Sequence, residues 1–148
     1  MERLTNEEQE RLQRILAQLS DSEAVVEALR RQISALAASL TELSMTIGAI
    51  KTIKELKPDT EILVPIGSDS FINAKITRCD KVMTGLGADV AAERTAEDAV
   101  ALLEARAAEL EQAVGQTREE LGQLEERMEA LRPEAEKLLK KGREEPEG

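Results

Sequence analysis

At 148 residues the chain has the length of one ordinary domain, yet it holds a single aromatic residue, Phe71, no Trp, Tyr or His, and 34% charged residues. That is the composition of long helices and coiled coils, not of a globular core. The formal charge of −10, from 30 acidic and 20 basic residues, repels phosphate backbones and argues against a nucleic-acid partner.

Cys79 is the only cysteine, so an intrachain disulfide and a Cys/His metal cluster are both excluded and no metal or cofactor is expected. Met1-Glu2-Arg3 is followed by no apolar signal core, and nowhere do 18 consecutive apolar residues occur. Secretion and a membrane partner are therefore not expected, and the cytoplasm is the default location.

The first element, residues 1–58, reads as a coiled-coil helix. From Leu12 a heptad runs with a positions Leu12, Leu19, Val26, Ile33, Leu40 and Ile47 and d positions Ile15, Ser22, Leu29, Leu36, Leu43 and Ile50. Eleven of these twelve are apolar, and a sustained period of 3.5 specifies a left-handed coil. Thr5 with Glu8 is a capping-box start, and Lys57-Pro58 is the stop.

Residues 59–94 break the helical period. Glu61-Ile62-Leu63-Val64-Pro65-Ile66, a turn at Gly67-Ser68-Asp69-Ser70, and Phe71-Ile72-Asn73-Ala74-Lys75-Ile76 read as one hairpin. Lys81-Val82-Met83-Thr84-Gly85-Leu86, a turn at Gly87-Ala88-Asp89, and Val90-Ala91-Ala92-Glu93-Arg94 read as a second. Isolated hairpins leave unpaired edges and an uncovered apolar face. Period-2 patterning puts Ile62, Val64 and Ile66 on one face and Ile72, Ala74 and Ile76 on one face, so other chains are expected to finish the sheet. The segment is read as an oligomerisation body carried by Ile62, Val64, Ile66, Phe71, Ile72, Ile76, Val82, Leu86 and Val90.

Residues 95–141 form the second coiled-coil helix. Thr95-Ala96-Glu97-Asp98 supplies a cap and an acidic first turn. The a positions are Val100, Ala107, Val114, Leu121, Met128 and Ala135, and the d positions are Leu103, Leu110, Thr117, Leu124, Leu131 and Leu138. Two rods of similar length joined by the β segment predict an antiparallel intrachain hairpin, with Lys57 beside Ala96 and Leu19 near Glu134. Pro133 removes a helical hydrogen bond, so a kink or break is expected near Glu129 to Pro133. Residues 142–148 are expected to be a disordered tail. The fold class is thus mainly α with a small β body: a long antiparallel coiled-coil hairpin whose two central β-hairpins join an intermolecular β-barrel.

Large apolar residues outside the seam gather at two places. Met45, Ile53, Leu56 and Leu102 lie near the body and should pack on it, whereas Leu4, Leu16 and Leu139 lie at the open tip. An apolar tip in water marks an interaction site, read here as Leu4, Leu12, Ile15, Leu16, Leu131, Leu138 and Leu139. Catalysis has no support: there is no His base, Ser68 and Ser70 lack an activating partner, and Gly85-Leu86-Gly87 lacks the rest of a phosphate loop. The chain is not expected to be an enzyme.

Helix, two hairpins, helix, with Ile62-Leu63-Val64-Pro65-Ile66 opening the first hairpin and Gly85-Leu86-Gly87-Ala88-Asp89-Val90-Ala91-Ala92-Glu93-Arg94-Thr95 closing the second, resembles the α-class subunit of prefoldin. The two hairpins favour that class, since β-class subunits carry one. Phe71-Ile72 and Val90-Ala91 stand where members often carry aromatic residues. The resemblance implies a hexamer of two α-class and four β-class subunits whose β segments form a double barrel with six coiled-coil arms. Such a particle is an ATP-independent chaperone that holds non-native polypeptides at the arm tips and delivers them to a cytosolic group II chaperonin. The alternative is a structural coiled-coil adaptor, multimerised by its β segment, whose arms bind one defined protein.

Overall fold

A computed structural model describes residues 3–143. The elements run α1 (Asn6–Lys54), β1 (Thr60–Gly67), β2 (Ser70–Ile76), β3 (Lys81–Gly87), β4 (Val90–Thr95) and α2 (Ala96–Arg143). The chain divides into two compact units, residues 38–111 and residues 1–37 with 112–148.

The unit of residues 38–111 holds both hairpins and the helix ends that flank them. Its small core is Ile50, Ala96, Ala99 and Leu103, with Leu43, Ile47, Val82 and Val100 packed against it. Thr95 caps α2 by accepting the Asp98 backbone N–H at 3.1 Å, and the Ala96 N–H is tied to the Asp80 carbonyl at 2.9 Å. The helix therefore starts where the sequence places its cap. At the other side α1 ends at Lys54, earlier than the Pro58 stop expected, because tightened turns take over: the Glu55 and Leu56 N–H groups bond to Thr52 and Ile53. Lys54 and Glu97 pair at 2.5 Å, which raises the lysine pKa and lowers that of the glutamate. Cys79, in the link between the hairpins, is buried.

In the unit formed by residues 1–37 and 112–148, α1 and α2 pack as an antiparallel pair. Thr5 and Glu8 make the expected capping box, each backbone N–H bonding to the other's side chain at 3.1–3.4 Å. Ile15, Val26, Thr117, Met128 and Ala135 are buried. Thr117, the one polar d position of α2, returns its hydroxyl to the Ala113 carbonyl at 2.8 Å and so buries no unsatisfied donor. Across both units all twenty-four seam positions named above are buried or half-buried, which confirms the heptad. Arg30 with Glu125 and Lys54 with Glu97 each fall within two residues of the register the sequence predicts.

Two further expectations fail. α2 runs unbroken through Pro133 to Arg143. Proline deletes one N–H, but Met128 and Ala135 on either side are buried against α1, and that packing holds the helix together. The same continuity carries Gly142 and Arg143 into the helix, so the expected tail does not start at 142; residues 144–148 lie outside the described residues. Residues 33–50 of α1, with Glu42 as their only charge, give the helix an 18-residue window of mean hydropathy 1.5, apolar enough by length and composition to cross a membrane. Most of that apolarity is the seam itself, Ile33, Leu36, Leu40, Leu43, Ile47 and Ile50, and the rest is Ala and Met between Ser, Thr and Gly.

Candidate assembly face and arm end

The hairpins are two separate two-stranded antiparallel sheets. In the first, Thr60 pairs with Ile76, Ile62 with Ala74 and Val64 with Ile72. Directly opposed residues share a face, so the two apolar rows read from the sequence are one surface, apart from Ile66, which falls at the register shift and has no opposed partner. Glu61 with Lys75, Leu63 with Asn73 and Pro65 with Phe71 make the other face. In the second hairpin, Val82 pairs with Arg94 and Thr84 with Ala92 on one face, and Lys81 with Thr95, Met83 with Glu93 and Gly85 with Ala91 on the other.

The two hairpins repeat each other at an interval of 20 residues. Gly67-Ser68-Asp69 and Gly87-Ala88-Asp89 turn with the same backbone: glycine φ of 113° and 89°, then left-handed pairs at 47° and 58° and at 50° and 60°. Each register shift falls just before that turn, between Pro65 and Gly67 and between Gly85 and Gly87. Two consecutive residues at positive φ match the twist of hairpin strands. Glycine carries the most open φ of each turn, while Ala88 holds a left-handed conformation without an Asn or Asp side chain to support it.

Ten large apolar side chains are exposed among the described residues, and seven lie on the hairpins: Leu63, Ile66, Phe71, Ile72, Met83, Leu86 and Val90, from 52% to 66% exposed. Ile62, Val64, Ile76 and Val82 are half-buried. All nine residues assigned to the oligomerisation body thus retain exposed apolar area, on both faces of the first hairpin. Leu63 and Met83 have the same character and were not singled out in the sequence, because period-2 reasoning assigns one apolar face only.

The arm end is more closed than its sequence suggests. Leu16 is 42% exposed, whereas Ile15 is only 4% exposed and lies in the seam. Leu4, Leu12, Leu131, Leu138 and Leu139 are half-buried. Leu4 lies over Gly142, where an added Cβ would come within 3.3 Å of its side chain; the missing side chain of the glycine makes the seat. Beside it the Lys141 ammonium donates to both carboxylate oxygens of Glu8 at 2.9 and 3.0 Å, and Arg11 pairs with Glu134. The Lys141 bond and the capping bond to Thr5 hold the Glu8 carboxyl below its ordinary pKa. Sequence reasoning took the helix ends as uncovered because the Leu4 and Gly142 contact joins residues far apart in the chain. Along the arm Val25 is 48% exposed, and Met45, expected to pack on the body with Ile53, Leu56 and Leu102, is instead 71% exposed while the other three are half-buried. No group of His, Cys, Asp and Glu that could hold a metal occurs among the described residues.

Two long helices joined through two tandem antiparallel hairpins with uncovered apolar strands define a coiled-coil subunit with a β head. The family model for prefoldin subunits matches residues 22–141. The chain is 34% identical to the prefoldin subunit alpha of Methanosarcina barkeri over 133 residues, 88% of this chain and 92% of that one. It is also 34% identical to that of Methanopyrus kandleri over 105 residues, 71% and 67% of the respective chains. A chain in the cryo-EM structure of filamentous PFD from Methanocaldococcus jannaschii superposes with a TM-score of 0.70 at 26% identity, covering 78% of this chain and 95% of its own. This chain belongs to the prefoldin family, among its α subunits, and is a chaperone subunit.

Proposed function

We propose that this chain is the α-class component of a mixed particle, two α-class with four β-class subunits, that holds non-native polypeptides at its arm ends without ATP and delivers them to a cytosolic group II chaperonin in the cytoplasm. The observation that carries the reading is the concentration of exposed apolar side chains on the hairpins, seven of ten among the described residues. A face of that kind in water is covered by other chains. The body is formed by Ile62, Val64, Ile66, Phe71, Ile72, Ile76, Val82, Leu86 and Val90, joined by Leu63 and Met83.

Client contact is assigned to the arm end. Leu16 offers apolar area directly. Leu4, Leu12, Ile15, Leu131, Leu138 and Leu139 offer theirs when the last turns open, and helix ends open at small free-energy cost. Each contact is weak, at about 25 cal/mol per Å2 of apolar surface, and several arms acting together supply avidity. Unfolded chains of no fixed shape suit such a surface.

The test is to mix the chain with a β-class subunit from the same genome, measure the mass of the product, and assay protection of several unrelated unfolded proteins against aggregation. A hexameric mass with general protection is expected. A structural adaptor would protect none of them, and that result would refute the reading.

A further inference from the structure

One carboxylate ties the two helix ends of the arm together. Glu8 accepts the Thr5 backbone N–H at 3.4 Å, closing the cap of α1, and the same group accepts the Lys141 ammonium of α2 at 2.9 and 3.0 Å. Both side chains are drawn partly out of water, Glu8 to 25% and Lys141 to 33% exposed. Two oxygens on one ammonium in that setting hold better than an ion pair in open solvent. Arg11 with Glu134 adds a second link between the helices further along the arm.

Leu4 completes the closure. It stands just before the Thr5 cap, where an apolar side chain ordinarily folds back onto the fourth residue of its own helix. That residue is Gln9, which is polar and exposed, so the usual seat is missing. Leu4 crosses to α2 instead, with its Cδ1 and Cγ 3.3 and 3.6 Å from where a Cβ of Gly142 would stand. Among the described residues, Gly142 is the only glycine with a neighbour from elsewhere in the chain within 4 Å of that point. A glycine costs a helix stability, and here its missing side chain makes room for the closing leucine.

The closed tip covers the client surface. Of the seven residues assigned to it, Leu16 alone is exposed. Leu138 and Leu139 lie in the turn that Lys141 ties down, and Leu12 is one turn on from Glu8. Resting on the client reading above, we propose that the Glu8–Lys141 clasp and the Leu4 seat form an autoinhibitory latch, which an apolar segment of unfolded chain must displace before it is held. Client affinity is then set by the fraction of tips that stand open, because a site whose competent state is partly populated binds more weakly by that fraction. Weakening the latch tightens holding, the opposite of what loss of a client contact does.

The test uses the particle formed with the β-class subunit of the same genome and reduced, carboxymethylated α-lactalbumin as the unfolded chain. Its dissociation constant is read by fluorescence anisotropy, and amide protection at the arm ends is read alongside. Glu8→Gln, which keeps a capping side chain, and Lys141→Met should each lower that protection and tighten holding by about two- to fivefold, the range of one partly exposed ion pair. The two substitutions change the net charge in opposite directions, so a bulk charge effect on the client would move them apart. Gly142→Gln, which unseats Leu4 and adds no apolar area, should also tighten holding, and Lys141→Arg should behave as wild type. Leu4→Cys with Gly142→Cys supplies the reverse: Cys79 is buried and stays out of the pairing, and the oxidised form should hold the client about twofold or more weakly than its own reduced form. Glu8→Gln and Lys141→Met that shift in opposite directions overturn the proposal. So does lowered protection without tighter holding, unchanged protection in both variants, or an oxidised form that holds as well as the reduced one. Each of these leaves the client reading standing, whereas a wild-type particle that binds no unfolded chain overturns both.

Discussion

Ile72 and Val25 make a matched pair for testing where this chain meets others. Ile72 is 55% exposed on the first hairpin and Val25 is 48% exposed on α1, so in the isolated chain an Asp at either place would be a solvated surface charge with an effect of about 0.5 kcal/mol or less. Assembly separates them. Full burial of an Ile side chain is worth roughly 1.5–3 kcal/mol, and with just over half of it still exposed, docking has about 1–1.5 kcal/mol left to gain at Ile72 by the same measure. Ile72→Asp forfeits that gain and adds an unpaired carboxylate to a closing apolar face, for a total of about 3–5 kcal/mol per interface. That is roughly two to three and a half orders of magnitude in dissociation constant. Sedimentation of each variant with the β-class subunit, at micromolar concentration, should show Ile72→Asp falling apart and Val25→Asp assembling like the wild type, both with full helical signal. Equal behaviour of the two variants would refute the hairpins as the assembly surface.

Leu16→Ser with Leu139→Ser should reduce protection of several unrelated unfolded proteins in aggregation assays, leaving the assembled mass unchanged, while Met45→Ser, which removes a side chain 71% exposed near the body, should not. Ala88→Gly should stabilise the second hairpin by about 1 kcal/mol, because Ala88 sits at φ 50° where a Cβ is unfavourable; Gly87→Ala, at φ 89°, should do the reverse, and thermal unfolding measures both. The depressed pKa of Glu8, caused first by its bond to Lys141, stabilises the arm end above the unfolded carboxylate value and ceases to as pH falls through the lower folded value. Protection factors of the amides around Leu4 and Gly142, corrected for the intrinsic pH dependence of exchange, should therefore fall below about pH 4, and Lys141→Met should remove most of that pH dependence.

The sequence alone was sufficient for the seam, the caps and the hairpins, since each follows from local rules. A 3.5-residue repeat needs only the spacing of Leu12, Ile15, Leu19 and their successors, and the Thr5/Glu8 and Thr95 caps act within four residues of the chain. The apolar strand rows were legible for the same reason, and the register merged them into one face. Tertiary structure decided what depends on contacts between distant segments. Pro133 reads locally as a break, and only the packing of Met128 and Ala135 keeps the helix running through it. Leu4 reads locally as exposed, until Gly142 of the other helix provides its seat and Lys141 reaches Glu8. Arg94 shows the limit most clearly: alternation places it on the Val82 face, but that its Nε is shut from water without an acceptor is a property of the packed chain. Periodicity fixes which way a side chain points, and packing fixes what it meets there.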